Sequence, residues 1–335
     1  MNIRIGLLGV GRIGRTHAKA VSTIPRASIA AVYDPDEQAA SVLVDRYGAE
    51  AASETDELLA DPSIDAVLIC TPTDTHADLV EAAAKAGKPI FCEKPIDLDP
   101  QRVRECLVVV AERDVPLAVG FNRRFDRNFR ALKERIEAGE IGDPELVQIV
   151  SRDPGPPPQE YVLRSGGLFR DMMIHDFDMG RFLLGEEFVR VVATGSVLVE
   201  SRIGKAGDVD TASATLSTAT GQICVITNSR RATYGYDQRV EVHGSKGMLA
   251  VGNPIPTAVT IADASGFHTD TLHSFFMERY QDAYRAEIRA FCDSLSAGKA
   301  PSPDGNDGLQ ALLLAEAAER SVKDGRVVNV DDSAS

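Results

Sequence analysis

The sequence predicts an α/β chain of two domains, a doubly wound parallel sheet followed by an α+β domain on a mainly antiparallel sheet. Three observations carry this. Short β-branched runs alternate with helical stretches over the first ~120 residues, which is the signature of parallel strands with crossover helices. A glycine-rich turn, Gly9-Val10-Gly11-Arg12-Ile13-Gly14, joins the first run to the first helical stretch. Beyond residue 143 strands follow one another without helices between most of them, joined by turns such as Thr220-Gly221 and Gly244-Ser245-Lys246-Gly247, and such runs pair antiparallel. At 335 residues the chain is long enough for two cores.

Before residue 143, strands are expected over 3–8, 28–33, 66–70, 89–92 and 117–119, and helices over 13–23, 36–46, 77–86, 102–113 and 126–137. The last of these helices stops at Gly139, a residue free to take the left-handed backbone that ends helices. Later strands are expected over 146–151, 190–199, 211–217, 222–229, 239–243 and 257–262, with one helix, 171–184, between the first two. Two C-terminal helices, 275–295 and 308–323, flank a loop at 298–305. The segment Pro154-Gly155-Pro156-Pro157-Pro158 is stiff and extended, either a connector or a wall of a site.

Fifty acidic against 36 basic residues leave a net charge of −14. Such a surface repels a phosphate backbone, which argues against nucleic acid as a partner. No apolar run approaches the ~18–20 residues that span a bilayer. Arg4 interrupts the N-terminal segment before a secretory apolar region could form. Cys70, Cys92, Cys106, Cys224 and Cys292 are odd in number and contain no C-x-x-C pair. That pattern reads as reduced thiols in a cytoplasm, with neither disulfides nor a zinc site. Without H-E-x-x-H or G-x-S-x-G spacing, no metal and no serine-hydrolase chemistry is expected.

Gly9, Gly11 and Gly14 form G-x-G-x-x-G after a strand and at the start of a helix, the context in which that motif binds a dinucleotide. The first glycine permits the tight turn, the second lets backbone approach a pyrophosphate, and the third lets helix pack on strand. Arg12 and Ile13, inside the motif, join the expected cofactor set. Asp34 lies 20 residues past Gly14 at the end of the second strand, where a carboxylate takes ribose hydroxyls; its other reading is a helix N-cap, which Asp36 could equally supply. No Arg or Lys stands beside Asp34, so NAD is favoured over NADP. Glu93-Lys94-Pro95 and Thr71-Pro72-Thr73 fall at carboxyl ends of strands, where ligands of open α/β sheets bind. Lys94 is thereby placed for the reactive end of the cofactor, with Glu93, Thr71 and His76 beside it, although His76 reads equally well as a capping residue.

In Gly166-Gly167-Leu168-Phe169-Arg170-Asp171-Met172-Met173-Ile174-His175-Asp176-Phe177-Asp178, the residues Asp171, His175 and Asp178 recur at i, i+4 and i+7. On an α-helix that spacing makes one polar stripe amid apolar neighbours. A histidine between two aspartates, opened by a glycine pair that lets something approach, reads as an acid–base site. The alternative is an Asp cap with a histidine satisfied in the core. An imidazole is neutral and basic near neutral pH, so His175 is the candidate base. Asp171 would orient the substrate hydroxyl or relay its proton, and Lys94 would steady the developing negative charge on the reacting oxygen. Arg123, Asp153, Asp178, Tyr234 and Tyr236, at turns or on this helix, form the candidate substrate set for a hydroxyl-rich ligand.

On residues 9–14, 92–95 and 166–178 the chain resembles the glucose–fructose oxidoreductase/inositol dehydrogenase/rhizopine-catabolism (Gfo/Idh/MocA) family over nearly its whole length. Stretches 120–126, 166–178 and 275–280 are most similar to those of its inositol 2-dehydrogenases. The resemblance implies a Rossmann domain over 1–121 and, over 122–335, an α+β domain that binds substrate and whose open sheet forms the interface of a homotetramer. It also implies NAD as cofactor, the E-K-P lysine at Lys94, and the D-x-x-x-H pair at Asp171 and His175. The implied reaction is oxidation of myo-inositol to the 2-keto inositol, within inositol catabolism. A related sugar or aldose dehydrogenase, or a catalytically silent NAD-linked sensor, are the other readings the family offers.

Overall fold

The computed structural model describes residues 2–330. These form two compact units, residues 2–126 with 281–312, and residues 127–280 with 313–330.

The first unit alternates strand and helix: β1 (Ile3–Leu8), α1 (Arg12–Val21), β2 (Ala27–Tyr33), α2 (Glu37–Tyr47), β3 (Glu50–Ala51), α3 (Thr55–Ala60), β4 (Ala66–Ile69), α4 (His76–Lys85), β5 (Ile90–Glu93), α5 (Pro100–Glu112) and β6 (Leu117–Gly120). The strands pair in parallel in the order β3-β2-β1-β4-β5-β6. The strands of this sheet's centre are apolar on both faces, as a sheet covered by helices requires; all four residues of β4 are buried. Local chemistry sets the helix starts. The Asp36 carboxylate accepts the N–H groups of Gln38 and Ala39 to begin α2, and Asp99 accepts that of Gln101 to begin α5, with Pro100 in the first turn. The alternation misses β3 and α3, which at two and six residues are too short to show a period.

The second unit holds α6 (Arg127–Glu137), β7 (Pro144–Arg152), α7 (Gln159–Val162), a π-helical turn (Phe169–Met173), α8 (Ile174–Leu184), β8 (Phe188–Ser196), α9 (Ser201–Lys205), β9 (Thr211–Thr218), β10 (Ile223–Ser229), β11 (Asp237–Gly244), β12 (Gly247–Val251), β13 (Thr260–Asp263), β14 (Gly266–Thr269), α10 (Phe276–Arg279) and, near the C-terminus, β15 (Val328–Asn329). Its main sheet runs β12-β11-β7-β10-β9-β8-β15, antiparallel except for the β7–β10 pair. Helix α8 lies against β7. Along β9 buried and accessible residues alternate, and Val192, Ile223 and Met248 of this sheet stay exposed. The sheet is thus half-buried, with an open face.

Four expectations change. Residues 197–199 leave the strand expected over 190–199, because the N–H groups of Leu198, Val199 and Glu200 all donate to the Asp210 carboxylate at 2.8–2.9 Å. The strand expected at 257–262 is β13, which among the described residues pairs with β14 alone, in a separate hairpin. The helix expected over 275–295 breaks at Tyr280 into α10 and α11 (Gln281–Ser296). Lastly, a boundary at 121/122 assigns all later residues to the second domain, whereas residues 281–312 pack with the first unit. The reason is apolar: Ile288, Phe291 and Cys292 of α11 share one buried cluster with Val10, Ala18, Phe91 and Ala118. The last helix, α12 (Gly305–Asp324), contributes residues to both units.

Candidate active site

In the first unit β1 lies between β2 and β4, the place where the strand order reverses. The carboxyl ends of β1, β4, β5 and β6 lead into Gly9, Thr71, Lys94 and Arg123 within a few residues. Open α/β sheets take their ligands at this edge.

The glycine-rich turn passes a steric test for a dinucleotide. Gly9 has φ +90, and a Cβ there would stand 2.7 Å from the backbone of Cys70 and Thr71. A Cβ on Gly14 would lie 2.0 Å from the Gly9 carbonyl oxygen. At Gly11 a Cβ would meet nothing within 4 Å, so this glycine alone of the three faces open space. Gly9 and Gly14 close the turn, and Gly11 keeps clear the approach to the N-terminus of α1, which no side chain caps. Arg12 is exposed and Ile13 half-buried at the same helix end. Asp34 is tied to this turn: its carboxylate accepts the Val10 N–H at 2.7 Å and the Asp36 N–H at 2.9 Å. The helix-capping alternative belongs to Asp36, leaving Asp34's remaining lone pairs for a sugar hydroxyl.

Around Lys94 the expected residues divide. Lys94 is half-buried after β5. Thr71 accepts a hydrogen bond from the Thr75 hydroxyl at 2.7 Å. His76 is buried, with Nδ1 2.8 Å from the Pro95 carbonyl oxygen and Nε2 2.7 Å from that of Thr71. Both ring nitrogens of His76 thus face backbone, and the ring braces the two loops beside Lys94. Glu93 is likewise occupied within the protein, Oε1 with His17 Nε2 at 2.6 Å and Oε2 with the Lys94 N–H at 3.3 Å. Arg123, in the short 3₁₀ turn after β6, is buried in this first unit. Burial pushes the thiols of Cys70 and Cys92 well above the ordinary cysteine range, followed by nearby negative charge, so neither is a nucleophile here.

In the second unit the polar stripe takes a different form. Residues 169–173 make a π turn before α8 begins at Ile174, and its wider geometry changes the angular place of Asp171 relative to an uninterrupted α-helix. Asp171 and His175 are half-buried, while Asp178 is buried 3.7 Å from the Arg181 guanidinium. Arg181, on the same helix, thus places a positive charge beside the Asp178 carboxylate. Asp176, which the stripe omits, is fully buried and accepts from Ser151 Oγ at 2.6 Å and Asn228 Nδ2 at 2.8 Å, fastening α8 to the sheet. The glycine pair also has an internal visitor. Gly167 has φ +83, and a Cβ there would stand 2.8 Å from Asp208 Oδ1, which accepts the Leu168 N–H.

Asp171 is held from two sides. Tyr161 donates its hydroxyl to Oδ1 at 2.7 Å, and Arg230 Nη2 reaches Oδ2 at 3.1 Å. Arg230 is 1% exposed and also lies 3.8 Å from Asp153. Burial by itself would favour the neutral guanidine, but Asp171, Asp153 and Asp208 outweigh it and raise the Arg230 pKa above the ordinary arginine value. Burial pushes the Asp208 carboxyl up, against the lowering effect of the Leu168 and Val209 N–H groups and the Arg230 charge. The Tyr161 ring is half exposed, yet enclosure of its hydroxyl end and then the Asp171 charge push the phenol upward, so it stays a donor. Tyr234 donates to Asp237 at 2.8 Å and accepts from Arg152 at 3.0 Å, with its ring exposed. Tyr236 is buried, its ring edge-on to that of Tyr280 with centroids 6.0 Å apart.

Arg230, Tyr161 and Asp208 escape the sequence reading. Arg230-Arg231 after a strand looks like a solvated dibasic turn, and Tyr161 follows a proline-rich loop with no pattern of its own. The set can orient a hydroxyl on Asp171, hold that carboxylate in place between Tyr161 and Arg230, and offer His175 one helical turn on as proton acceptor. Among the described residues no group of three or more His, Cys, Asp or Glu could hold a metal ion, and no helix is long and apolar enough to cross a membrane.

Residues 3–121 match the model of an oxidoreductase family with an NAD-binding Rossmann fold (GFO_IDH_MocA), and residues 129–250 match the C-terminal domain of the same family. The chain is 55% identical over 330 residues to the inositol 2-dehydrogenase of Rhizobium meliloti, covering 98% of this chain and 100% of that one. It is 47% identical to the myo-inositol 2-dehydrogenase of Thermotoga maritima, covering 98% and 99%. The crystal structure of scyllo-inositol dehydrogenase from Lactobacillus casei with bound NAD(H) and scyllo-inositol superposes with a TM-score of 0.93 at 31% identity, covering 99% of this chain and 100% of that one.

Proposed function

The chain belongs to the Gfo/Idh/MocA oxidoreductase family, and from that premise we propose that it oxidises myo-inositol at C2 to the 2-keto inositol with NAD. The observation that carries this reading is the 55% identity, over nearly the full length of both chains, with an inositol 2-dehydrogenase. Gly9, Gly11, Gly14 and the start of α1 would hold the pyrophosphate, and Asp34 the adenosine ribose. When bound, NAD supplies the hydride acceptor at nicotinamide C4.

Each residue then has a defined task. His175 removes the proton of the reacting hydroxyl. Asp171, fixed by Tyr161 and Arg230, accepts a hydrogen bond from a substrate hydroxyl and sets which hydroxyl faces His175. Lys94 donates to the reacting oxygen and stabilises its developing negative charge. Arg123, Asp153, Asp178, Tyr234 and Tyr236 are the substrate-binding candidates for the rest of the ring. A cyclitol bears a hydroxyl on every ring carbon, and a site of buried polar groups rejects an analogue lacking one of them by ~10⁴–10⁵.

The cellular setting belongs to the same proposal: a homotetramer in the cytoplasm, working in inositol catabolism. Exposed Val192, Ile223 and Met248 on the open sheet support self-association, and five free, buried cysteines suit a reducing compartment. The experiment compares kcat/KM for myo-inositol, scyllo-inositol, D-glucose and D-xylose at one NAD concentration, with the mass in solution measured by light scattering. Myo-inositol is expected to lead. An aldose ahead of it would move the chain to the sugar dehydrogenases, and no turnover on any of the four would favour the sensor.

A further inference from the structure

Two buried histidines flank the chain at Lys94. His17, in the second turn of α1, is fully buried and reaches Glu93 Oε1 at 2.6 Å through Nε2. Its ring is wedged edge-on between Phe91 and Tyr284, with centroids 5.0 and 5.5 Å away. The other oxygen of Glu93 accepts the Lys94 N–H. Gly120 makes room for this carboxylate, since a Cβ there would stand 3.0 Å from it. On the far side of Lys94, the His76 ring at the start of α4 sits between the carbonyl oxygens of Pro95 and Thr71, 2.8 and 2.7 Å from its two nitrogens, and its N–H donates to one of them. His17 Nδ1 is buried with no hydrogen-bond partner among the described residues. A buried polar atom left unpaired costs about 1–3 kcal/mol, so packing alone gives no reason for an imidazole at position 17. A carboxylate accepts but cannot donate, so Nε2 carries the proton facing Glu93.

We propose that His17, through Glu93, and His76 are positioning residues for Lys94, and that His17 ties the phosphate-binding helix to the loop that carries it. The inference rests on the reading of Lys94 as the group that steadies the reacting oxygen. Neither histidine touches substrate. Their effect is to fix the backbone on both sides of Lys94, so that its ammonium points where the oxygen will be. A misplacement of ~1 Å in such a group costs up to about 10²-fold in rate.

The test is a set of full-length variants, His17→Ala, His17→Gln, Glu93→Gln and His76→Ala, each also made with Lys94→Ala. The expected result for His17→Ala and His76→Ala is a fall in kcat of about 10- to 100-fold, with the dissociation constant for NAD by titration calorimetry changing little. Amide exchange across residues 93–96 of the cofactor-free protein should quicken in both, while exchange across β9 and β10 stays as it was. His17→Gln, which keeps a side-chain donor, should recover most of the loss, and Glu93→Gln should behave like His17→Ala. In the Lys94→Ala background the histidine changes should cost almost nothing further, because their effect runs through the missing ammonium. Costs that simply add in that background, or unchanged exchange at 93–96 in a variant that folds, would overturn the brace. Near-normal turnover of Lys94→Ala alone would instead overturn the reading of Lys94, so the two failures are told apart. If His17→Ala fails to fold, His17→Gln and Glu93→Gln carry the same comparison without opening a cavity.

Discussion

Lys94 and His175 come from different units and different kinds of element, one after a buried strand and one on a helix behind a π turn. Replacing either with Ala should cut turnover by about two to four orders of magnitude, the range for a positioned acid–base or electrostatic group. NAD binding should survive His175→Ala, which a calorimetric titration checks, since every cofactor-binding candidate lies in the first unit. Asp34 sets a second expectation at this scale. Its carboxylate, held by the Val10 and Asp36 N–H groups, would face a dianionic 2′-phosphate at close range, so NAD should be used better than NADP. Asp34→Ser with Pro35→Arg should narrow or invert the ratio of kcat/KM values for the two cofactors. Equal efficiency of both in the unmodified protein would remove the ribose-binding role.

The turn after β8 shows how a single carboxylate can end a strand. Asp210 is fully buried and gathers the N–H groups of Leu198, Val199 and Glu200. Burial acts to raise its pKa, but these backbone donors and the Thr211 hydroxyl outweigh it and hold the carboxyl below the usual range. A carboxyl depressed in the folded state stabilises the fold above its unfolded pKa of about 3.9 and loses that contribution as pH falls through the folded value. Asp210→Asn should therefore cost about 1–3 kcal/mol at neutral pH, with the gap to the unmodified protein closing below about pH 4. Urea denaturation at a series of pH values measures it, and a gap that does not change with pH would refute the ionic part of the cap.

Across the whole molecule the return of α11 matters most. Phe291 is buried edge-on to Phe91 at 5.9 Å, so a helix from the far end of the chain completes the core of the N-terminal sheet. Phe291→Ala should cost about 3–5 kcal/mol and weaken NAD binding by loosening the core beneath the cofactor-binding turn. A fragment of residues 1–126 exposes the apolar faces of Val10, Ala18 and Phe91 and should not melt cooperatively by calorimetry. A sharp two-state transition in that fragment would show that the first unit needs no C-terminal helix.

Local chemistry is what a sequence displays, and the features it predicts here are local. The strand–helix alternation, Gly9-x-Gly11-x-x-Gly14, Asp34 at its spacing, and Lys94 after a strand all express contacts within a turn, a pleat or one βαβ unit. Turn residues and hydrophobic period report directly on such neighbours. Other features pair residues far apart. Arg230 meets Asp171 across 59 positions, and His17 meets Glu93 across 76. An isolated arginine, tyrosine or histidine carries no mark of its distant partner, and the burial that turns Arg230 from a solvated turn residue into the anchor of Asp171 exists only after β10 and the π turn have packed. Which domain α11 joins is likewise decided by packing, because its apolar stripe suits either core and only the surface it covers tells them apart.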